Sequence, residues 1–208
     1  MRTEILLAST SDTISRALEV LKRGGLVAFP TDTVYGVGAL AFDGQAVESI
    51  YAAKDRPVEK AIPILIASTE DLEKVGANIP ENAHKLAARF WPGPLTILVP
   101  KRVDLPESVS STATVGVRVP DHEVACALLR AAGPMAVTSA NISGAQSPMT
   151  AQEVYEQLGG RIPLIIDGGK TPGGIPSTLV DCTVPEPKIL REGPISLQAL
   201  YSALRNSD

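Results

Sequence analysis

The 208-residue chain is 44% hydrophobic with a formal charge of −4, which is enough apolar content to build a core without disulfide or metal staples. Its two cysteines, Cys126 and Cys182, lie far apart and outside C-x-x-C spacing, which excludes a disulfide-dense secreted scaffold and fits a reducing cytosol. No apolar run approaches the roughly 18 residues of a membrane span, Met1 to Leu7 lacks a signal-peptide core, and the acidic balance argues against a protein built mainly to grip nucleic acid.

Helix-like and strand-like segments alternate along the chain. Ser11 to Gly24 reads as a helix with Ile14, Ala17, Leu18 and Leu21 on one face and Gly24 as its stop. Leu26 to Phe29 is a short buried strand ended by Pro30. Asp43 can cap a second helix carrying Val47, Ile50 and Tyr51. Ile62 to Ala67 reads as a strand, Ser68 to Gly76 and Glu81 to Phe90 as helices, and Leu95 to Val99 as a strand. A Ser/Thr loop leads to a strand at Val115 to Val119, a helix from Asp121 to Ala132 and a strand at Met135 to Thr138. Thr150 and Glu153 have capping-box spacing ahead of Val154, Tyr155 and Leu158. Strands at Leu164 to Asp167, Thr178 to Asp181 and Lys188 to Arg191 follow, then a helix with Leu197, Leu200, Tyr201 and Leu204 on one stripe. This alternation predicts an α/β domain with a largely buried central sheet, and leaves strand order open.

Five segments carry candidate chemistry. Pro30 to Gly38 directly follows a buried strand, where open α/β sheets tend to bind ligands; Gly36 and Gly38 permit close backbone approach. A capped turn with a packed tyrosine explains it equally well. Lys54, Arg56 and Lys60 put three cations within seven residues, suited to a triphosphate or to a solvated basic helix end. Lys54 shares a face with Ile50 and Tyr51, so its ammonium is expected at the rim of the core. Thr138 to Gly144 supplies Ser and Asn donors after a strand, and Gly173 to Asp181 is a flexible stretch running into one. Arg118, flanked by valines, must pair with a carboxylate or reach an anionic ligand. There is no G-x-x-x-x-G-K-[ST] loop, no G-x-G-x-x-G opening a helix and no G-x-S-x-G elbow. His84 and His122 share no metal-ligand spacing with the cysteines; His84 reads as a surface residue and His122 as part of a helix cap.

Taken in order, FPTDTVYGVGA at 29–39, KDRP at 54–57, FWPGPLT at 90–96, VGVRVPDH at 115–122, TSANISG at 138–144, STLVD at 177–181 and LREG at 190–193 resemble the YrdC-type family of threonylcarbamoyl-AMP synthases. The resemblance implies one α/β domain over 1–208, a twisted mixed sheet flanked by helices with an open ligand cleft, in the short form of the family. It implies conversion of ATP, L-threonine and bicarbonate into threonylcarbamoyl-adenylate and pyrophosphate in the cytoplasm. Mg²⁺ is expected through the ATP phosphates, and a separate transferase would carry the product to a tRNA adenosine beside the anticodon. By position, Lys54 and Arg56 fall at the reacting centre, and Thr33, Arg118, Ser139 and Ser177 around threonine. Arg56, Lys60, Thr114, Asn141, Ser147 and Arg191 fall at ATP. Two departures stand out: Lys60-Ala61-Ile62 where many members have Lys-Pro-Leu, and Leu65 where some have histidine. The Pro/Gly-rich segment 171–176 is a candidate cover. The alternatives are a carbamoyl-adenylate-forming enzyme, a double-stranded RNA-binding or ribosome-maturation module, and a paralogue without synthase activity.

Overall fold

A computed structural model describes residues 2–205 of the chain. The described residues form one open, twisted mixed sheet of ten strands: β1 (Glu4–Leu7), β2 (Val27–Phe29), β3 (Gly36–Leu40), β4 (Ile64–Leu65), β5 (Leu95–Pro100), β6 (Thr114–Arg118), β7 (Met135–Ser139), β8 (Leu164–Asp167), β9 (Thr178–Asp181) and β10 (Lys188–Arg191). Across the sheet the order is β1-β8-β2-β3-β7-β4-β6-β5-β9-β10. The pairs β1/β8, β2/β8, β4/β6 and β5/β9 are parallel and the others antiparallel. The helices are α1 (Thr13–Lys22), α2 (Gly44–Lys54), α3 (Glu81–Phe90), α4 (Glu123–Ala132), α5 (Ala151–Leu158) and α6 (Leu197–Arg205), with a 3₁₀ turn at Thr69–Lys74. Among the described residues no helix is long and apolar enough to cross a membrane.

Local chemistry sets the helix boundaries. Asp43 accepts from the Ala46 amide at 3.0 Å and starts α2, and Asp55, with φ of 51°, ends it. At α5 the Thr150 hydroxyl accepts from the Glu153 amide at 3.2 Å, while the Glu153 carboxylate reaches back to the Met149 amide.

Strand alternation then divides the apolar residues between two faces. On one face Val115 and Val117 of β6, Ile97 and Val99 of β5 and Val180 of β9 join residues of α2, α3, α5 and α6 in the larger core. On the other, α1 and α4 bury Ala17, Leu21, Leu128 and Leu129 against Val27, Phe29, Leu65, Val137 and Ile166. That second layer covers the half of the sheet around β8, β2, β3 and β7. Over β6, β5 and β9 the same face is left open.

Three expectations are corrected. Gly36 to Leu40 is a strand, not an extension of the preceding loop, and its glycines serve the sheet: an added Cβ at Gly38 would lie 2.7 Å from both Ala136 O and Val137 Cγ2 of β7. The strand expected over 62–67 shrinks to Ile64–Leu65. Pro63 has no N–H to give, and the Ile62 and Ile66 amides bond singly to Val109 O and Arg118 O. The helix expected over 68–76 is the 3₁₀ turn.

Candidate active site

The open half of the sheet forms the floor of a cavity of about 440 Å³. Thr114, Gly116 and Arg118 alternate onto it from β6, beside Thr96 and Leu98 of β5, Ser177 and Leu179 at β9, and Val137 and Ser139 of β7. Four residue steps of strand separate Thr114 from Arg118, roughly 13 Å. Gly116 keeps the middle flat, since a Cβ there would lie 3.0 Å from Thr96 Cγ2 and 3.5 Å from Pro63 Cβ. Three guanidiniums, those of Arg56, Arg118 and Arg191, line the cavity, and no carboxylate does among the described residues.

At one end Arg118 is buried and its donors are largely taken. Nε donates to Gly93 O at 2.9 Å, one terminal nitrogen to Thr33 Oγ1 at 3.2 Å, and the other to Asp32 Oδ1 at 2.5 Å. Burial pulls this guanidinium below its ordinary value, and Asp32 opposes the effect. The threonine hydroxyls have a definite polarity. Thr31 donates to Val34 O at 2.7 Å, so Thr33 must be the donor in the 3.0 Å Thr31–Thr33 bond. Having also accepted from Arg118, Thr33 keeps one lone pair for an N–H donor. Leu65, paired with Arg118 in register, closes this end with an apolar wall.

On the β9 side, Arg191 donates to Ser177 O at 2.8 Å and to Ser177 Oγ at 3.1 Å, and Ser177 Oγ lies 2.7 Å from Thr96 Oγ1. Arg56 spends Nε on Lys60 O (3.1 Å) and one terminal nitrogen on Ala61 O (3.0 Å), so the Lys60–Ala61 backbone aims it. Burial lowers the Arg56 guanidinium too, with Tyr51 opposing and Arg191 adding to the effect. At the far end Ser110, Thr112 and Thr114 link hydroxyl to hydroxyl at 3.0 and 3.1 Å.

Lys54 is not at the rim. It is 1% exposed and its ammonium donates to the carbonyls of Ser139 and Asn141, behind the cavity wall. The helix face that carries it is buried against the turn after β7, which turns two carbonyls inward to meet it. Burial, and then the charge of Arg56, pull Lys54 down to about 7. Asn141 directs its amide nitrogen to Ile142 O and Ala145 O, while its Oδ1 is buried without a partner. Of the residues expected at the nucleotide, Arg56, Thr114 and Arg191 line the cavity; Lys60 is exposed, and Asn141 and Ser147 lie outside the lining. Those expected around an amino acid, Thr33, Arg118, Ser139 and Ser177, all line it. His84 is exposed, and His122 is the N-terminal cap residue of α4, its Nδ1 buried without a partner.

Thr31, within the candidate segment Pro30 to Gly38, also lines the cavity; Thr96, Ser110 and Thr112 line it too and are not among the residues expected from the sequence. Thr96 alone had a readable signal, a hydroxyl alternating out of an apolar strand between Leu95 and Ile97. Segment 171–176 runs along the same end. The Thr171 amide bonds to Met149 O at 2.9 Å, Pro176 lines the cavity, and Gly173 packs so tightly on the Thr33 carbonyl that a Cβ would overlap it.

The model of the Sua5/YciO/YrdC family, described as "Telomere recombination", matches residues 19–193. The chain is 47% identical over 186 residues to the threonylcarbamoyl-AMP synthase of Pyrococcus abyssi (strain GE5 / Orsay), a match covering 88% of this chain and 55% of that protein. It is 41% identical over 201 residues to the threonylcarbamoyl-AMP synthase of Bacillus subtilis (strain 168), covering 95% of this chain and 58% of that protein. The match therefore spans little more than half the length of either relative. The crystal structure of P. abyssi Sua5 complexed with L-threonine superimposes with a TM-score of 0.92 at 42% identity, covering 98% of this chain and 61% of that one.

Proposed function

Because the chain belongs to the Sua5/YciO/YrdC family, we propose that it is a threonylcarbamoyl-AMP synthase, a nucleotidyltransferase that joins L-threonine, bicarbonate and ATP. The observation that carries this reading is one cavity with three guanidiniums and two chemically different ends. Arg118 with Leu65 and the hydroxyls of Thr33 and Ser177 suit a short amino acid: carboxylate to guanidinium, amine to the free lone pair of Thr33. The Arg56 and Arg191 side suits phosphates, and the Ser110–Thr112–Thr114 end a nucleoside.

In this reaction the threonine amine captures bicarbonate or CO₂, and the resulting N-carboxylate attacks the α-phosphorus as pyrophosphate leaves. An anion must approach a polyanion, so the chief obstacle is electrostatic, and Arg56 and Arg191 answer it with fixed positive charge in a partly dry site. No protein nucleophile is required; holding the two reactants in line does most of the work. The lining offers cations and hydroxyls rather than a carboxylate cage, so Mg²⁺ would arrive on the phosphate oxygens of ATP and help neutralise the leaving pyrophosphate. The product would pass in the cytoplasm to a separate transferase acting on the tRNA adenosine beside the anticodon.

The test is incubation of the purified protein with ATP, Mg²⁺, bicarbonate and single amino acids, followed by pyrophosphate assay and mass spectrometry. Threonine-dependent threonylcarbamoyl-adenylate, lost in Arg56→Ala and Arg118→Ala, is the expected result. ATP cleavage that ignores threonine but responds to carbamoyl phosphate would overturn it.

A further inference from the structure

Arg118 has a protein partner that does not line the cavity. The side chain of Asp32 is 13% exposed and lies behind the guanidinium, its Oδ1 accepting from Arg118 at 2.5 Å and from the Asp121 amide at 3.2 Å. Two further acceptors, Gly93 O and Thr33 Oγ1, take the Nε–H and one N–H of the other terminal nitrogen. Three acceptors in different directions fix the plane of a guanidinium that would otherwise rotate. Of its five N–H groups, one on each terminal nitrogen is left for a ligand. Asp32 is in turn held from two sides: by the guanidinium, and by the Asp121 amide in the turn between β6 and α4.

The geometry points to Asp32 as a positioning residue for amino-acid capture: it sets the plane of Arg118 and neutralises it at rest, without touching the substrate. The inference rests on the reading that Arg118 takes the amino acid's carboxylate, and deepens it. A buried arginine beside Arg191 would carry an unbalanced charge in the empty site. With Asp32 as resident counter-ion the arginine stays ordered, and the incoming carboxylate meets a preformed fork rather than a mobile side chain. Asp32 therefore acts on amino-acid binding and leaves the nucleotide end alone.

The experiment compares wild type, Asp32→Asn and Asp32→Ala by calorimetric titration with L-threonine and, separately, with Mg²⁺-ATP. Asparagine keeps an acceptor at the same place without the charge; alanine removes both. Threonine affinity is expected to fall about tenfold in Asp32→Asn and further in Asp32→Ala, with ATP affinity within about twofold of wild type in both. A parallel readout follows the Arg118 side-chain N–H signals by ¹⁵N NMR. Restricted rotation about its guanidinium bonds in wild type should give way to fast rotation in Asp32→Ala. Equal loss of threonine and ATP affinity with a lower unfolding midpoint would mean that Asp32 merely supports the fold, and would overturn the inference. So would unchanged threonine affinity in Asp32→Ala. If wild type binds no amino acid, the reading of Arg118 as a carboxylate receptor fails, and the NMR comparison still decides whether Asp32 orders the guanidinium.

Discussion

Lys54 offers a sharp test of how burial and hydrogen bonding compete in this wall. Its ammonium has almost no contact with water and gives its protons to the carbonyls of Ser139 and Asn141. Burial lowers it from 10.5 to about 7, which means that the unfolded chain binds this proton in a range where the folded protein does not. Between those two values stability must therefore rise with pH, at about 1.4 kcal/mol per pH unit, or on the order of 5 kcal/mol across the window. Below about pH 7 both states are protonated and the contribution is flat at its minimum. Lys54→Met fills the same space without a titrating group, so subtracting its stability isolates the effect from every other group. Urea unfolding of both proteins at pH 6, 7, 8 and 9 is expected to show the wild-type advantage growing from pH 7 upward. A difference constant across that range would mean that the two carbonyls hold the proton against burial, refuting the reasoning.

Gly116→Leu should leave the unfolding midpoint nearly unchanged, because the new side chain points into the cavity rather than the core; ATP and threonine titrations should both weaken by at least about tenfold. Gly173→Ala should drive the 171–176 segment off the Thr33 carbonyl, which would appear as faster tryptic cleavage after Lys170; an unchanged cleavage rate would show that the contact does not hold the segment down. Burial lowers His122 below its ordinary value, so the unfolded chain takes up this proton first as pH falls and stability is lost from about pH 6.5 downward. Replacing His122 with Gln should flatten that part of the urea-midpoint profile; an identical slope in the variant would contradict it.

Much of the fold is written locally. The 3.6-residue stripe of 81–90 and the Thr150/Glu153 pair specify α3 and α5 almost residue by residue, because helix signals are confined to neighbours in sequence. β1 has no local signature because Glu4–Leu7 is an edge strand with little burial and no inward alternation, held by parallel pairing to a strand about 160 residues away. β3 was hidden by Gly36 and Gly38, which lack strand propensity and are tolerated because Val137 fills the space a Cβ would need. The site divides in the same way. Its arginines and the Ser139 and Ser177 hydroxyls stand out as polar residues in apolar surroundings, but their convergence depends on strand order. Thr96 meets Ser177 because β5 lies beside β9, and Arg118 meets Asp32 across 86 residues of chain. Burial of Lys54 is unreadable for a related reason: the carbonyls that receive it belong to the last residue of β7 and the turn after it, 85 to 87 residues further on.

The uncovered half of the sheet has a consequence for how such a site can change over generations. A residue in a packed layer is constrained twice, by its strand and by the helix that presses on it. Thr114, Gly116, Thr96, Leu98 and Leu179 are free of the second constraint, since the open cavity rather than a helix lies above them. Their replacement alters what the floor accepts while the valines and isoleucines on the reverse side keep the sheet intact. One scaffold can thus be retuned to new ligands by single substitutions, with selection acting on chemistry almost independently of folding.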